Sequence, residues 1–266
     1  MDGHDNPCPR CFGTGFETVT NEDGVARARP CGCRDRKREE LLERAARIPR
    51  RYEHCSFENF ETHDDSQGAA YRVARRFVKD FPMAEMGLLL TGPCGTGKTH
   101  LAVALIRALM NERGVPCLFY DFQDLLKEIQ ASFSPVKGAS EMEILQSVFT
   151  ADVLVLDDLG AQKPTLWVRD TVGHIINNRY NNRRTTLFTT NRSDPAPGNG
   201  AGATRGREPL EATLVDQIGE RIHSRIYEMC HVVRVSGQDY RKQYKHPGLR
   251  SRIEGPSSRS SGREQN

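Results

Sequence analysis

Gly87-Leu88-Leu89-Leu90-Thr91-Gly92-Pro93-Cys94-Gly95-Thr96-Gly97-Lys98-Thr99 decides the fold of this 266-residue chain. Four apolar or small residues and a threonine read as a buried strand. A glycine-rich loop follows, and His100–Asn111 then carries helical patterning. Inside the stretch lies G-x-x-x-x-G-K-T in strand–loop–helix context. Glycines let consecutive backbone N–H groups turn onto phosphate oxygens without a Cβ clash. The positive end of the following helix adds a favourable field. Gly92, Pro93, Cys94, Gly95, Thr96, Gly97, Lys98, Thr99 and His100 are therefore expected to bind a nucleotide, with Lys98 at the β- and γ-phosphates and the Thr99 hydroxyl on Mg²⁺.

Such a loop requires an acidic partner strand. Val153-Leu154-Val155-Leu156-Asp157-Asp158 is four strand residues ending in two carboxylates, and ligands of open α/β sheets sit at strand C-termini. Asp157 is expected to hold Mg²⁺ and Asp158 to polarise the attacking water. Thr185-Thr186-Leu187-Phe188-Thr189-Thr190-Asn191 reads as a third strand, whose terminal amide at Asn191 can orient that water. Further strands are expected at Cys117–Asp121 and His231–Val235, with helices between them, including Thr165–Tyr180. Five strands alternating with helices indicate a doubly wound α/β fold, a parallel sheet covered on both faces. Residues 122–150 read as two helices broken at Ser134-Pro135, and Glu211–Met229 as one helix with Leu214, Ile218, Ile222 and Ile226 on its apolar face.

Eight cysteines in a chain without a signal-peptide pattern point to reduced thiols and a cytoplasmic location. Four fall into close pairs, Cys8 with Cys11 and Cys31 with Cys33, a pattern that suits tetrahedral thiolate coordination of zinc. An iron–sulfur or redox role is the alternative, and His4 is a possible substitute ligand. Cys117 and Cys230 adjoin apolar runs and are expected in the core. Between Arg27 and Arg51 there are ten basic and four acidic residues, and Asp35–Ile48 has helical character that Pro49 should end. The net charge of +3 by itself neither implies nor excludes nucleic-acid binding. No apolar run is long enough to span a membrane.

Taken together, the chain from about Ile48 to Gln243 resembles the AAA+ ATPases of the DnaC/IstB type, which include bacterial and phage replicative helicase loaders and transposition helper ATPases. Besides the motifs above, the resemblance rests on Ile48-Pro49-Arg50-Arg51-Tyr52, Phe57-Glu58-Asn59-Phe60, Glu220-Arg221-Ile222-His223-Ser224-Arg225-Ile226 and Gly237-Gln238-Asp239-Tyr240-Arg241. It implies a P-loop AAA+ sheet in the order 5-1-4-3-2, ATP and Mg²⁺ as cofactors, and Arg225 as an arginine finger entering a neighbouring subunit's site. It further implies Arg241 as a late arginine sensor assisted by Arg221. No full helical lid is expected.

The implied organisation is a four-cysteine zinc-binding, basic helical segment for partner docking over 1–48, an ATPase domain over 49–245 with a flexible insert at 194–209, and a disordered tail over 246–266. The function implied is ATP-dependent loading of a replicative DNA helicase (DnaB-type) during replication initiation, with self-association on single-stranded DNA. Lys127, Phe133 and Lys137 are candidate DNA contacts. The alternatives are a transposition helper acting on duplex DNA, and a zinc-dependent nucleic-acid adaptor whose nucleotide site is only a switch.

Overall fold

The computed structural model describes residues 8–20, 24–83, 86–133, 140–193 and 212–243. The insert at 194–209, the tail at 246–266, His4, Ser134-Pro135, Lys137 and Glu211 lie outside them.

The central sheet is built from five short parallel strands: β3 (Gly87–Thr91), β4 (Cys117–Asp121), β5 (Val153–Asp157), β6 (Thr185–Thr190) and β7 (Cys230–Arg234). Their spatial order is β4-β5-β6-β3-β7. Counted within the sheet this is 2-3-4-1-5, the order 5-1-4-3-2 read from the other edge. The expected strands stand within a residue of their places; β7 begins and ends one residue early.

Side chains alternate across the pleat, which divides the core in two. Leu88, Leu90, Phe119, Val153, Val155 and Leu187 face one side, where α2 (Asp65–Asp80) and α3 (Lys98–Arg113) cover them. Leu89, Leu118, Tyr120, Leu154, Leu156 and Phe188 face the other. There α4 (Phe122–Ser132), α5 (Glu141–Thr150), α6 (Leu166–Asn181), α7 (Leu214–Ile218) and α8 (Glu220–Met229) pack. Burial on both faces explains why these strands read as continuous apolar runs.

The helix expected over Glu211–Met229 is interrupted. Gly219 takes φ 84°, so the backbone turns between α7 and α8. Leu214, Ile218, Ile222 and Ile226 nevertheless all reach the core, because the break realigns the second piece on the same groove. A fully buried arginine, Arg179, joins the end of α5 to the start of β6 through Val148 O (2.7 Å), Ala151 O (2.9 Å) and Thr186 Oγ1 (2.9 Å).

The N-terminal segment contains an element that the sequence reading lacked, an antiparallel ribbon of β1 (Phe16–Thr20) and β2 (Ala26–Pro30). Then α1 (Cys33–Ala45) runs to the sheet edge, ending four residues before Pro49. Ala46 is buried, and its carbonyl accepts the Phe119 N–H on edge strand β4 at 2.8 Å. Arg47 lies over the Tyr120 ring at 4.4 Å and pairs with Glu128 at 2.6 Å. Arg107 on α3 reaches back to Glu43 at 2.9 Å. The segment is thus fastened to the ATPase core along its whole exit.

Candidate functional site

The loop after β3 closes onto α3 because Gly97, its N-terminal flank, takes φ 98°. A Cβ there would lie 2.9 Å from the Phe60 ring, so glycine is required on both counts. The ammonium of Lys98 is buried and donates to Gly92 O at 2.8 Å and Pro93 O at 2.6 Å. Burial pulls its pKa down to about 8, although Asp158 and Asp157 oppose that shift.

Thr99 Oγ1 donates to both carboxylate oxygens of Asp157, at 2.9 and 3.2 Å. Hydroxyl and carboxylate are therefore already paired as hard oxygen donors, the set that a small divalent cation takes beside phosphate. Burial raises Asp157 to about 6 despite the hydrogen bonds from Thr189 and Thr99. Asp158 follows in the left-handed region at φ 57°, tolerable for aspartate, and this turns its side chain toward β6. There Asn191 Nδ2 donates to Asp158 Oδ1 at 2.6 Å. Burial raises Asp158 as well.

Thr189 belongs to the Thr189-Thr190-Asn191 segment that leads to the expected Asn191, but the sequence assigns its hydroxyl no role of its own. Its buried hydroxyl donates to Asp157 Oδ1 at 2.6 Å and accepts the Asp158 N–H at 2.9 Å. A threonine in a strand is ordinary, and only its alignment beside β5 gives it this role. Thr190 makes a parallel bond to Leu159 O at 2.7 Å. Together the two threonines bind the acidic turn to the strand that carries Asn191.

The segment after β7 returns to the loop. Tyr240, opening the four-residue helix α9 (Tyr240–Gln243), donates its N–H to Gly95 O at 3.0 Å. Asp239 sits against Gly95, which has φ +78°, and accepts the Arg241 N–H at 3.0 Å. The positive charge of Arg241 is felt at Lys98. A cavity of about 200 Å³ opens beside it, lined by His63, Asp64, Gln67, Gly237 and Tyr240. Gln67 anchors its floor by donating to Thr96 O at 3.1 Å.

Among the expected site residues, Gly92–Thr99, Asp157, Asp158 and Asn191 converge, while Arg241 is exposed on α9, whose start is held to the loop through Tyr240. Cys94 is exposed on the loop. His100 turns away, its Nε2 lying 3.0 Å from Ser56 O and Asn59 Oδ1 in the Phe57–Phe60 lead-in. Arg225 lies elsewhere, bonded to Asn177 and stacked 5.5 Å from the Tyr180 ring on α6, and Arg221 is exposed on α8.

The four N-terminal cysteines also converge, with all their sulfurs within 4.8 Å of one another. Cys8 and Cys31 are 3.8 Å apart and Cys11 and Cys33 3.3 Å. A Zn–S bond of about 2.3 Å gives a tetrahedral sulfur–sulfur edge of about 3.8 Å, so the cluster is able to bind a metal. Backbone N–H groups of Arg10 and Cys11 pull Cys8 down to about 6, whereas its hydrogen-bonded neighbour Cys11 pushes Cys33 up to about 12. Four thiols this close need a cation before all can ionise. Cys117 and Cys230 are buried, as expected of core residues.

The IstB-like ATP binding protein family matches residues 25–247, most of the chain. The chain belongs to this family. Membership in these DnaC/IstB-like AAA+ ATPases supports ATP-hydrolysing activity. The replicative helicase loader DnaC of Escherichia coli strain K12 is 30% identical over 140 residues, covering 53% of this chain and 56% of DnaC. The match thus spans little more than half the length of that relative. A crystal structure of the DnaC helicase loader superposes with a TM-score of 0.61 at 32% identity, covering 71% of this chain and all of the other. A crystal structure of DnaI gives 0.55 at 28% identity, covering 73% and 94%. No described helix is long and apolar enough to cross a membrane.

Proposed function

We propose that this IstB-like AAA+ ATPase acts in the initiation of DNA replication, hydrolysing ATP while it assembles on single-stranded DNA and delivers a replicative helicase. The observation that carries the nucleotide chemistry is the Thr99–Asp157 pair at the mouth of a glycine-rich loop whose lysine, among the described residues, is bonded to the loop carbonyls of Gly92 and Pro93. In this reading Lys98 exchanges Gly92 O and Pro93 O for phosphate oxygens, and the loop N–H groups hold the rest of the triphosphate. Thr99 and Asp157 would hold Mg²⁺, which supplies charge neutralisation at the phosphates when bound. Asp158, held by Asn191, orients the attacking water. The cavity lined by Asp64, Gln67 and Gly237 beside the stacked His63 and Tyr240 rings takes the base, and Arg241 senses the phosphates.

Arg225 is too occupied on α6 to serve its own site, which supports a role toward an adjoining protomer. Its release from Asn177 and Tyr180 would accompany assembly, and it would offset charge developing on the γ-phosphate, an effect on the order of 10³–10⁵ in related systems. The four cysteines would hold zinc, and the N-terminal segment, through α1, would dock the helicase. Both curated and structural relatives named as helicase loaders support this choice.

The test is single-turnover ATP hydrolysis with single-stranded DNA, combined with capture of helicase or transposase by the full chain. Lys98→Ala and Asp157→Ala should abolish turnover, and Arg225→Ala should lose it with nucleotide binding intact. Parental turnover by Arg225→Ala under assembling conditions refutes the trans-acting finger. Stable capture of a transposase alone would make the chain a transposition helper, and binding without turnover would make it a nucleotide-switched adaptor.

A further inference from the structure

The cavity of about 200 Å³ beside the phosphate loop is fastened to the loop by two of its own walls. Gln67 donates to Thr96 O at 3.1 Å, and the Tyr240 N–H donates to Gly95 O at 3.0 Å. Consecutive carbonyls of the loop thus hold opposite members of the lining. A molecule whose phosphates lie on the loop has this cavity within reach of its other end.

Most of the polar groups around the cavity are already committed. Asp64 caps α2, accepting from the Ser66 N–H at 2.8 Å and from Ser236 Oγ at 3.2 Å. Gln67 uses both ends of its amide, because Oε1 accepts the His63 N–H at 2.7 Å. The His63 and Tyr240 rings stack at 5.9 Å, and each reaches Glu61, at 3.2 and 3.3 Å respectively. Gln238 is exposed to water. Gln243 differs. It lines the cavity, and its Oε1 is buried with no hydrogen-bond donor. Among the described residues one other buried side-chain atom shares that condition, Gln217 Oε1 on α7, beside Gly160. A buried acceptor without a donor is costly, and such an atom in a cavity wall marks where a ligand donor belongs.

Helix α9 explains why the amide faces this way. It starts where Tyr240 is pinned to the loop, and Gln243 follows three residues later. Residues three apart share a helix face, so the ring that stacks on His63 and the amide stand on the same side. The Gln243 N–H closes the turn on Asp239 O at 3.1 Å, and Asp239 itself sits against Gly95. The acceptor is therefore held in a fixed register to the phosphate loop.

We propose that Gln243 Oε1 accepts a hydrogen bond from the exocyclic 6-amino group of adenine, making the end of α9 the element that reads the base. This rests on the reading above that the base enters this cavity. The family is an ATP-binding one, and the amine is the donor that adenine carries where guanine carries an acceptor oxygen. The amide touches the base and not the phosphates, so it sets which nucleotide is held without taking part in hydrolysis.

The experiment is titration calorimetry of the full chain with three magnesium-loaded ligands: ATP, purine riboside triphosphate, which has hydrogen in place of the 6-amino group, and ribose 5-triphosphate, which has no base. The parent should bind ATP about tenfold more tightly than purine riboside triphosphate, the order expected when a buried acceptor loses its donor. Gln243→Leu should bring the two within about twofold, and Gln243→Glu, which keeps an acceptor, should retain the preference. Ribose triphosphate should bind the parent and Gln243→Leu alike, which shows that the phosphate loop is intact. A tenfold preference that persists in Gln243→Leu overturns the role of Gln243 and leaves the base in the cavity. So does equal binding of ATP and purine riboside triphosphate by the parent. If ribose triphosphate binds the parent as tightly as ATP does, the base makes no contact, and the cavity reading falls together with the proposal.

Discussion

Thr189 Oγ1 donates to Asp157 Oδ1 at 2.6 Å while accepting the backbone N–H of Asp158 at 2.9 Å, so one buried hydroxyl spans both acids of the site. With Thr99, which reaches both oxygens of Asp157, the bond fixes the direction in which the carboxylate faces. Removing it leaves the Asp158 N–H without its acceptor and lets Asp157 rotate.

Thr189→Val should accordingly lower magnesium-dependent ATP turnover by roughly 10–100-fold, since a displacement of about 1 Å at a reacting centre costs that order of rate. ATP affinity measured without magnesium should stay within about twofold, and Thr189→Ser should restore most of the turnover. A valine variant that hydrolyses ATP normally would show that the β6 hydroxyl only fills space.

Gly95→Ala probes the return of the C-terminal segment. A Cβ at this position would meet Asp239 Oδ1 at 1.9 Å, and the residue's φ of +78° adds about 1–2 kcal/mol of backbone strain for any other residue. The Tyr240 N–H···Gly95 bond should break and carry Arg241 away from the loop. Titration calorimetry should then show ATP affinity reduced about tenfold, the loss of one charge-assisted contact. Unchanged affinity would mean that Arg241 does not act through this contact.

Lys98 makes the site sensitive to alkali. Its buried ammonium has been pulled down to about 8, from an ordinary value near 10.5, chiefly by desolvation. Phosphate oxygens would restore the higher value, so ATP binding without magnesium should take up a proton at pH 9 and almost none at pH 7. Affinity should be level below pH 8 and fall above it. The ligand-free chain has the opposite dependence: the unfolded lysine keeps its proton after the folded one has lost it, so this group adds stability as pH rises between about 8 and 10.5. Calorimetry in buffers of differing ionisation enthalpy reads the proton directly, and none taken up at pH 9 would remove Lys98 from the phosphate contacts.

Cys11→Ser/Cys33→Ser should abolish stoichiometric metal and leave the ribbon amides exchanging freely, because the sulfur pair that closes the knuckle is gone. Strands β3 and β5 belong to a different core and should keep their protection. Metal release by a chromophoric chelator, followed by hydrogen exchange, separates the two outcomes. A parental chain that never carries a stoichiometric metal would remove the premise.

The sheet is legible in the sequence because its signals are local. Buried parallel strands must be apolar along their whole length, and the phosphate loop compresses its glycines, lysine and threonine into eight residues. Asp157, Asp158 and Asn191 can be found for the same reason, each standing at the end of such a run. The cysteine pairs are equally visible, since a metal site draws its ligands from short spacings. The ribbon is not. Its strands are FETVT and ARARP, exposed on both faces, and a strand that buries nothing leaves no hydrophobic period to read.

Other features belong to the tertiary structure alone, because they depend on which strands lie side by side. Thr189 meets Asp157 only once β6 is placed beside β5, and Tyr240 meets Gly95 only once β7 is placed beside β3. The turn at Gly219, with φ 84°, divides α7 from α8, although Leu214, Ile218, Ile222 and Ile226 stand at the spacing of one continuous helical face. Residue types within a few positions of one another dictated the chemistry available here. Contacts between residues far apart in the chain decided where each carboxylate, amide and guanidinium points, because a side chain's direction is set by the partner that closes its hydrogen bond.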